Sequence, residues 1–419
     1  MARYFYSLIL YLLAPLIFLH LIVRGFKSRE YWYRWRERLG FIPKINQKNI
    51  IWIHAVSVGE VMSAIPLIKN LQKSFRGRTI LVTTTTPTGS EQVLNSFGCS
   101  VKHFYIPYDF NGSINRFMKC INPAILILME TELWPNTINY CTQKKIPVVL
   151  ANARMSLKSY RTYRSFSFLT SPMFAMITLV CAQYEDDLKR FEALGVSRGQ
   201  MIRTGNIKFD VIIEKKDREN AAVIREQLDK KTVLIASSTH DGEDKIVLEI
   251  FRNLRRKFSM LVLILVPRHP ERFESVSNML NRSGFSIKRR SVDKQFSEAD
   301  VILGDTMGEL KFLYGVSDIA FIGGSFIKTG GHNPIEAAIW EIPVLVGPYT
   351  FNFSSVNKIL EESGGLKTCA SQNSLEIEIS KLLNDPVYKN KSGRAALKAV
   401  EDNIGALSLL TGKIEDLIA

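Results

Sequence analysis

The chain has 419 residues, 46% of them hydrophobic and 23% charged, which allows two cores of ordinary domain size and excludes a disordered chain. Five cysteines without a C-x-x-C pair and six scattered histidines exclude a disulfide framework and a zinc site, and no metal or other cofactor is expected. A formal charge of +15 points to an anionic partner, leaving nucleic acid, acidic lipid and phosphorylated substrates open.

Residues 4–23 (YFYSLILYLLAPLIFLHLIV) form an uncharged apolar run long enough to cross a bilayer as one helix. Arg24, Lys27, Arg29, Arg34, Arg36 and Arg38 follow, interleaved with Tyr31, Trp32, Tyr33 and Trp35. That mixture suits an interface with anionic headgroups and keeps the rest of the chain cytoplasmic by the positive-inside rule. A cleaved signal peptide is disfavoured, because Val-Arg-Gly-Phe-Lys follows the run where a small-x-small site belongs. Pro15 and His20 interrupt the run, so a partly embedded helix is the alternative.

From residue 49 onward, short β-rich runs alternate with stretches of helix length, the pattern of βα units on a parallel sheet. The expected strands are 50–56, 79–86, 124–130, 146–153 and 179–183, then 232–239, 261–269, 301–305, 319–326 and 342–348. A polar stretch at 208–220, containing EKKDREN, separates the two sets. The expected organisation is a membrane anchor at 1–23, an N-terminal domain at 24–207 and a C-terminal domain at 208–419. Each domain is α/β and doubly wound, and the two are expected to face a cleft with ligands at the carboxyl ends of the strands.

The motifs sit at those ends. In HAVSVGE (54–60), Ser57 and Glu60 have capping-box spacing, and Glu60 is equally placed to take a proton from a hydroxyl. METELWPN (129–136) ends a strand in Glu130 and Glu132. RTGNIKFD (203–210) carries Lys208 near the domain junction, where an ammonium suits a phosphate. VPRHPERF (266–273) puts Arg268 and His269 at a strand end, and DTMGEL (305–310) and GGHNPIEAA (330–338) are strand-to-helix turns. Asn333 reads as an N-cap with Pro334 at the first helical position, and a glycine-flanked helix start is also an anion site. Glu336 could accept both hydroxyls of a ribose.

Taken in order, with LANARMS (150–156) and SSTHDGE (237–243), these motifs resemble those of the Kdo transferases over essentially the whole chain. That family moves 3-deoxy-D-manno-octulosonic acid (Kdo) from CMP-Kdo to lipid A precursors. The resemblance implies a metal-independent, inverting enzyme of the two-domain, Rossmann-like GT-B architecture. It acts on lipid IVA in lipopolysaccharide core synthesis, at the cytoplasmic side of a bacterial inner membrane among anionic lipids. Carried over by motif, Glu60 matches the catalytic base, and Glu130 and Lys208 match groups that stabilise the transition state, with Glu132 a near rival of Glu130. Arg268 with His269, Met307, Gly308 and Glu309, and Asn333, Pro334, Ile335 and Glu336 match the CMP-binding segments. A GT-B transferase using a UDP-sugar and a non-catalytic glycolipid-binding scaffold are the alternatives. Nucleic acid is not an expected partner, since no helix-turn-helix, zinc finger or RNP motif accompanies the charge.

Overall fold

The computed structural model describes residues 2–418. They form two compact units, one running to Asp210 and resuming at Gly405, the other Val211–Ile404.

The first unit holds a parallel sheet of β1 (Ile50–His54), β2 (Ile80–Thr84), β3 (Lys102–Tyr105), β4 (Pro123–Met129), β5 (Val148–Ala153), β6 (Leu179–Ala182) and β7 (Met201–Arg203). Their order is β3-β2-β1-β4-β5-β6-β7. Every residue of β1, β2 and β5 is buried, as expected of strands covered on both faces. The alternation along β1 divides the core. Ile50 and Trp52 pack on one side with Phe117 and Leu128, and Ile51 and Ile53 on the other with Leu67 and Ile127.

The second unit repeats the plan with β8 (Thr232–Thr239), β9 (Leu261–Pro267), β10 (Ile287–Arg289), β11 (Val301–Leu303), β12 (Ile319–Ile322), β13 (Val344–Val346) and β14 (Leu366–Thr368). The order here is β10-β11-β9-β8-β12-β13-β14. Each sheet therefore reverses its winding once, between β1 and β4 in the first and between β8 and β12 in the second. Ligands of doubly wound folds bind outside the carboxyl ends of the strands at such a reversal.

Two expectations need correction. The apolar run is not one helix but two, α1 (Ala2–Leu12) and α2 (Ala14–Lys27), bent by 49°. Pro15, in the first turn of α2, has no N–H to continue the ladder of α1. No single described helix is long and apolar enough to cross a membrane, although the bent pair is so by length and composition. The pair also lies against the first unit: Ser7 Oγ meets the side-chain amide of Asn136, and the Tyr11 and Phe110 rings are 5.0 Å apart. Tyr4, Leu8, Leu12, Leu16 and Leu19 remain exposed.

The second correction concerns the C-terminus, expected with the C-terminal domain but found on the first unit. Helix Ala406–Ile418 repeats its apolar residues every four positions, and Ala406, Leu410 and Ile414 join the face of the core built by Ile51 and Ile53. Asp210 clamps its start, Oδ1 accepting from Gly405 N and Oδ2 from Leu407 N, both at 2.8 Å. Asp210→Ala is expected to cost about 1–2 kcal/mol, the scale of a lost helix cap. Hydrogen exchange should localise that loss to amides 405–418, and unchanged exchange there would contradict the clamp.

Candidate active site

At the β1–β4 reversal, Ser57 caps helix Val58–Ser74 by accepting from Glu60 N. Glu60 does reach back, though one residue further than a capping box requires. Its Oε2 accepts from Val56 N at 2.9 Å and its Oε1 from Ser57 Oγ at 3.0 Å. Glu60 is 9% exposed, and burial pushes its pKa up to about 7. The Val56 bond opposes that rise, and the charges of Glu132 and Glu130 add to it.

Glu130 follows β4 in a left-handed conformation, φ 53°, with its N–H bonded to Ala151 O at 2.9 Å. A non-glycine residue held there is strained, and such strain gathers at functional sites. Glu132 lies two residues on, its pKa raised by burial and by the Glu130 charge.

Lys208 sits in the short 3-10 turn Ile207–Phe209, its N–H accepted by the Asn206 side chain at 3.0 Å. Burial lowers its pKa, while the charges of Glu130 and Glu60 act to raise it and that of Arg154 to lower it. The fold thus brings Glu60, Glu130 and Lys208 within range of one another's charge, together with Arg154 and Glu132. Asn152 holds the lysine's turn in place. It is fully buried with φ 52°, and its Oδ1 accepts from Ile207 N at 3.2 Å. LANARMS contains this residue, but its sequence carried no mark of the role beyond an asparagine, a type that tolerates the left-handed region.

The second unit builds its site at the β8–β12 reversal around Glu243, which is completely buried. Oε2 accepts from His240 N at 2.9 Å and Gly324 N at 2.7 Å, and Oε1 from Ser325 N at 3.0 Å and Phe326 N at 2.9 Å. Gly323 is needed where that loop leaves β12, because a Cβ would stand 2.6 Å from Ser238 O.

Two histidines absent from the expected site meet above this loop. His240 Nε2 and His332 Nε2 are 2.9 Å apart, with rings parallel to 5° and centroids 5.2 Å apart. That separation is the N···N distance plus two ring radii, so the imidazoles lie end to end, one nitrogen donating and the other accepting. His269 packs edge-on against His240 at 5.3 Å. Burial, with the nearby Arg268 charge, lowers His332 to about 4, and burial also lowers His240, leaving the pair uncharged at neutral pH.

Arg268 and His269 stand just past β9, with Arg268 N bonded to Thr239 O at 2.9 Å. Asn333 forms a turn, its Oδ1 accepting from Ile335 N at 3.1 Å and its Nδ2 donating to Glu336 Oε1 at 3.3 Å. Pro334 therefore precedes helix Ile335–Ala338 rather than opening it. Burial raises the Glu336 pKa against the charges of Lys311 and Arg268. Met307, Gly308 and Glu309 follow β11, beyond β9 from the histidines. Met307 is exposed, while the Glu309 carboxylate is held by Arg290 and Thr306. Among the described residues, no group of three or more His, Cys, Asp or Glu is arranged to hold a metal ion.

The chain is 41% identical to the 3-deoxy-D-manno-octulosonic acid transferase of Haemophilus influenzae, over 98% of this chain and 97% of that one. It belongs to the Kdo transferase family. The model of the 3-deoxy-D-manno-octulosonic-acid transferase (kdotransferase) family matches residues 33–211, the part of the first unit that holds its sheet. The two-sheet, GT-B-like fold is shared with a glycosyltransferase from Rickettsia africae, at TM-score 0.54 and 14% identity over 89% of this chain and 98% of that one. It is also shared with UDP-GlcNAc 2-epimerase from Neisseria meningitidis, at TM-score 0.56 and 16% identity over 88% and 99%. As a Kdo transferase the protein is a glycosyltransferase.

Burial makes the Glu60 proton harder to lose in the folded chain than in the unfolded one. Glu60 therefore withdraws stability as pH rises from its ordinary value of 4.5 through about 7. Glu60→Gln, neutral throughout, is expected to lose less stability than the parent between pH 5 and pH 8. Equal melting-temperature losses in both proteins would contradict the burial of this carboxylate.

Proposed function

We propose that the protein transfers Kdo from CMP-Kdo to a sugar hydroxyl of an acylated, phosphorylated lipid A precursor, lipid IVA, with inversion. The observation that carries this reading is Glu60, a buried carboxylate at a sheet reversal with a pKa raised to about 7. A general base works best when its pKa lies near the working pH. In the proposed step the acceptor oxygen forms a bond to the ketosidic carbon of Kdo as its proton passes to Glu60. The bond from that carbon to the phosphate oxygen breaks, and CMP leaves with the electron pair. Lys208 and Glu130 stabilise the charge that develops, and Glu132 supplements Glu130.

CMP is assigned to the second unit. Arg268, His269 and the loop at Asn333, Pro334 and Ile335 meet its phosphate, Glu336 meets the ribose, and Met307, Gly308 and Glu309 complete the nucleotide contacts. Cationic side chains and oriented N–H groups suit the charge of a departing monophosphate, which is why turnover is expected to survive EDTA. The exposed apolar residues of α1 and α2, followed by the basic aromatic stretch, support attachment to the anionic inner membrane from the cytoplasmic side.

The test is turnover of purified protein with CMP-Kdo and tetraacylated lipid A precursor, read by mass spectrometry of the product. CMP should compete with the donor and UDP should not; the reverse would favour a UDP-sugar enzyme. Glu60→Gln should keep CMP affinity and lose about 10²-fold or more in turnover. The parent's kcat/KM should fall as pH drops below about 7, since the base must be ionised. Ser57→Ala, which removes the cap and keeps the carboxylate, should retain most activity. A Glu60→Gln enzyme with near-parental turnover would overturn the mechanism.

Glu336→Gln separates ribose binding from local structure. Gln retains a hydrogen-bond acceptor for Asn333, so thermal stability should change by about 1 kcal/mol or less while CMP affinity falls. Unchanged affinity would remove Glu336 from the nucleotide site.

A further inference from the structure

Beneath α2 the first unit contains a cavity of about 380 Å³, within the range of small-molecule sites. Leu16, Ile17 and Leu21 supply an apolar wall, and Arg24, Arg38 and Trp134 also line the space. Arg38 is only 5% exposed. Its Nη2 donates to Thr85 O at 2.8 Å, and its guanidinium lies 4.2 Å from the centre of the Tyr105 ring. Its Nε is buried without a hydrogen-bond partner, as is Nε1 of Trp134. Among the described residues Arg38 has no carboxylate at ion-pair distance. The adjacent acid, Glu37, is engaged by Arg34 Nε at 2.7 Å and by Tyr105 N at 2.8 Å.

A buried cation without a counter-charge is unfavourable, and a buried N–H without an acceptor is unfavourable too. Both belong to side chains lining one cavity whose remaining surface is largely hydrocarbon. The complement to such a lining is an anionic head carrying an aliphatic chain.

The cavity also adjoins the carboxylate site. Thr85, on its rim, donates to Val56 O from its N–H at 3.3 Å and from Oγ1 at 3.0 Å, and Val56 N is the partner of Glu60. Trp134 lies two residues beyond Glu132 in the same turn.

We propose that this cavity seats an anionic acyl lipid, with one hydrocarbon chain against Leu16, Ile17 and Leu21 and a phosphate at Arg38, Arg24 and the Trp134 indole. On the function proposed above, which this step rests on, the lipid is the acceptor, and its capture brings the sugar hydroxyl toward Glu60. Further acyl chains remain in the bilayer beside the exposed face of α2.

The test is calorimetric titration of the full chain in non-ionic detergent with dodecanoylglycerol phosphate, uncharged monododecanoylglycerol and inorganic phosphate. The charged lipid should bind about tenfold or more tightly than either control, the scale of a charged hydrogen bond. Arg38→Gln should remove that advantage. Ile17→Trp, which fills the cavity and leaves both arginines, should weaken the charged lipid by a similar factor. Equal binding of charged and uncharged lipid, phosphate binding as tightly as the lipid, or a charged-lipid affinity that both variants leave unchanged would each overturn the proposal.

In a second arm, the KM for tetraacylated lipid A precursor should rise about tenfold in both variants while CMP affinity is unchanged. Weakened lipid binding with an unaltered acceptor KM would overturn the acceptor assignment and give the seat to a membrane phospholipid. Lipid binding is measured without turnover, so a chain that binds the lipid but transfers no Kdo would sink the reaction and leave the seat standing.

Discussion

Buried carboxylates that accept backbone N–H groups hold together the strand ends on which both candidate sites stand. Glu243 is the fullest case, with four N–H bonds from His240 and the loop after β12. Asp109 accepts from Asn136 N and Thr137 N, Asp187 from Met155 N and Tyr184 N, and Asp305 from Ser291 N. Each ties a loop that follows a strand to a segment distant in sequence. A loop carries its own unsatisfied donors, and one carboxylate can satisfy several of them while fixing its path. Glu60 belongs to this set through Val56 N, and burial leaves its proton close to balance at neutral pH.

The same economy explains why capping would not compete with the proposed catalysis at Glu60. Its two oxygens each accept one bond from the turn, and a carboxylate has further lone pairs to offer a substrate. The turn therefore fixes the direction of the proposed base before any acceptor arrives. In the second unit the histidine pair works by the opposite means, since the protonated form is disfavoured by burial and by neighbouring cations. The site beside it thus presents neutral donors and arginine in place of a cluster of imidazolium charges.

The ten strands legible in the sequence are the interior ones of both sheets, where continuous runs such as IIWIH and LVLILVP mark burial on two faces. The four that were not legible, β3, β7, β10 and β14, are the four sheet edges. They are three or four residues long and read KHFY, MIR, IKR and LKT, because an edge shares its surface with solvent and needs little apolar content. The carboxylates and lysine of the first site were legible through their motifs. Asn152, Glu243 and the His240–His332 pair were not, since each acts through a partner 55 to 92 residues away, a distance no local pattern records.

The return of helix Ala406–Ile418 to the first unit makes the second unit an insertion within the first, and this bears on how the chain is made. Synthesis proceeds from the N-terminus at about 5–20 residues per second, and domains fold as they emerge. The second unit is continuous and can close as soon as Ile404 is out. The first unit must wait through that whole interval with the Ile51 and Ile53 face short of its last helix, although α1 and α2 emerged much earlier. Early engagement of α1 and α2 by a bilayer would hold the incomplete unit at a surface, away from other nascent chains, until Leu410 and Ile414 arrive to finish its core.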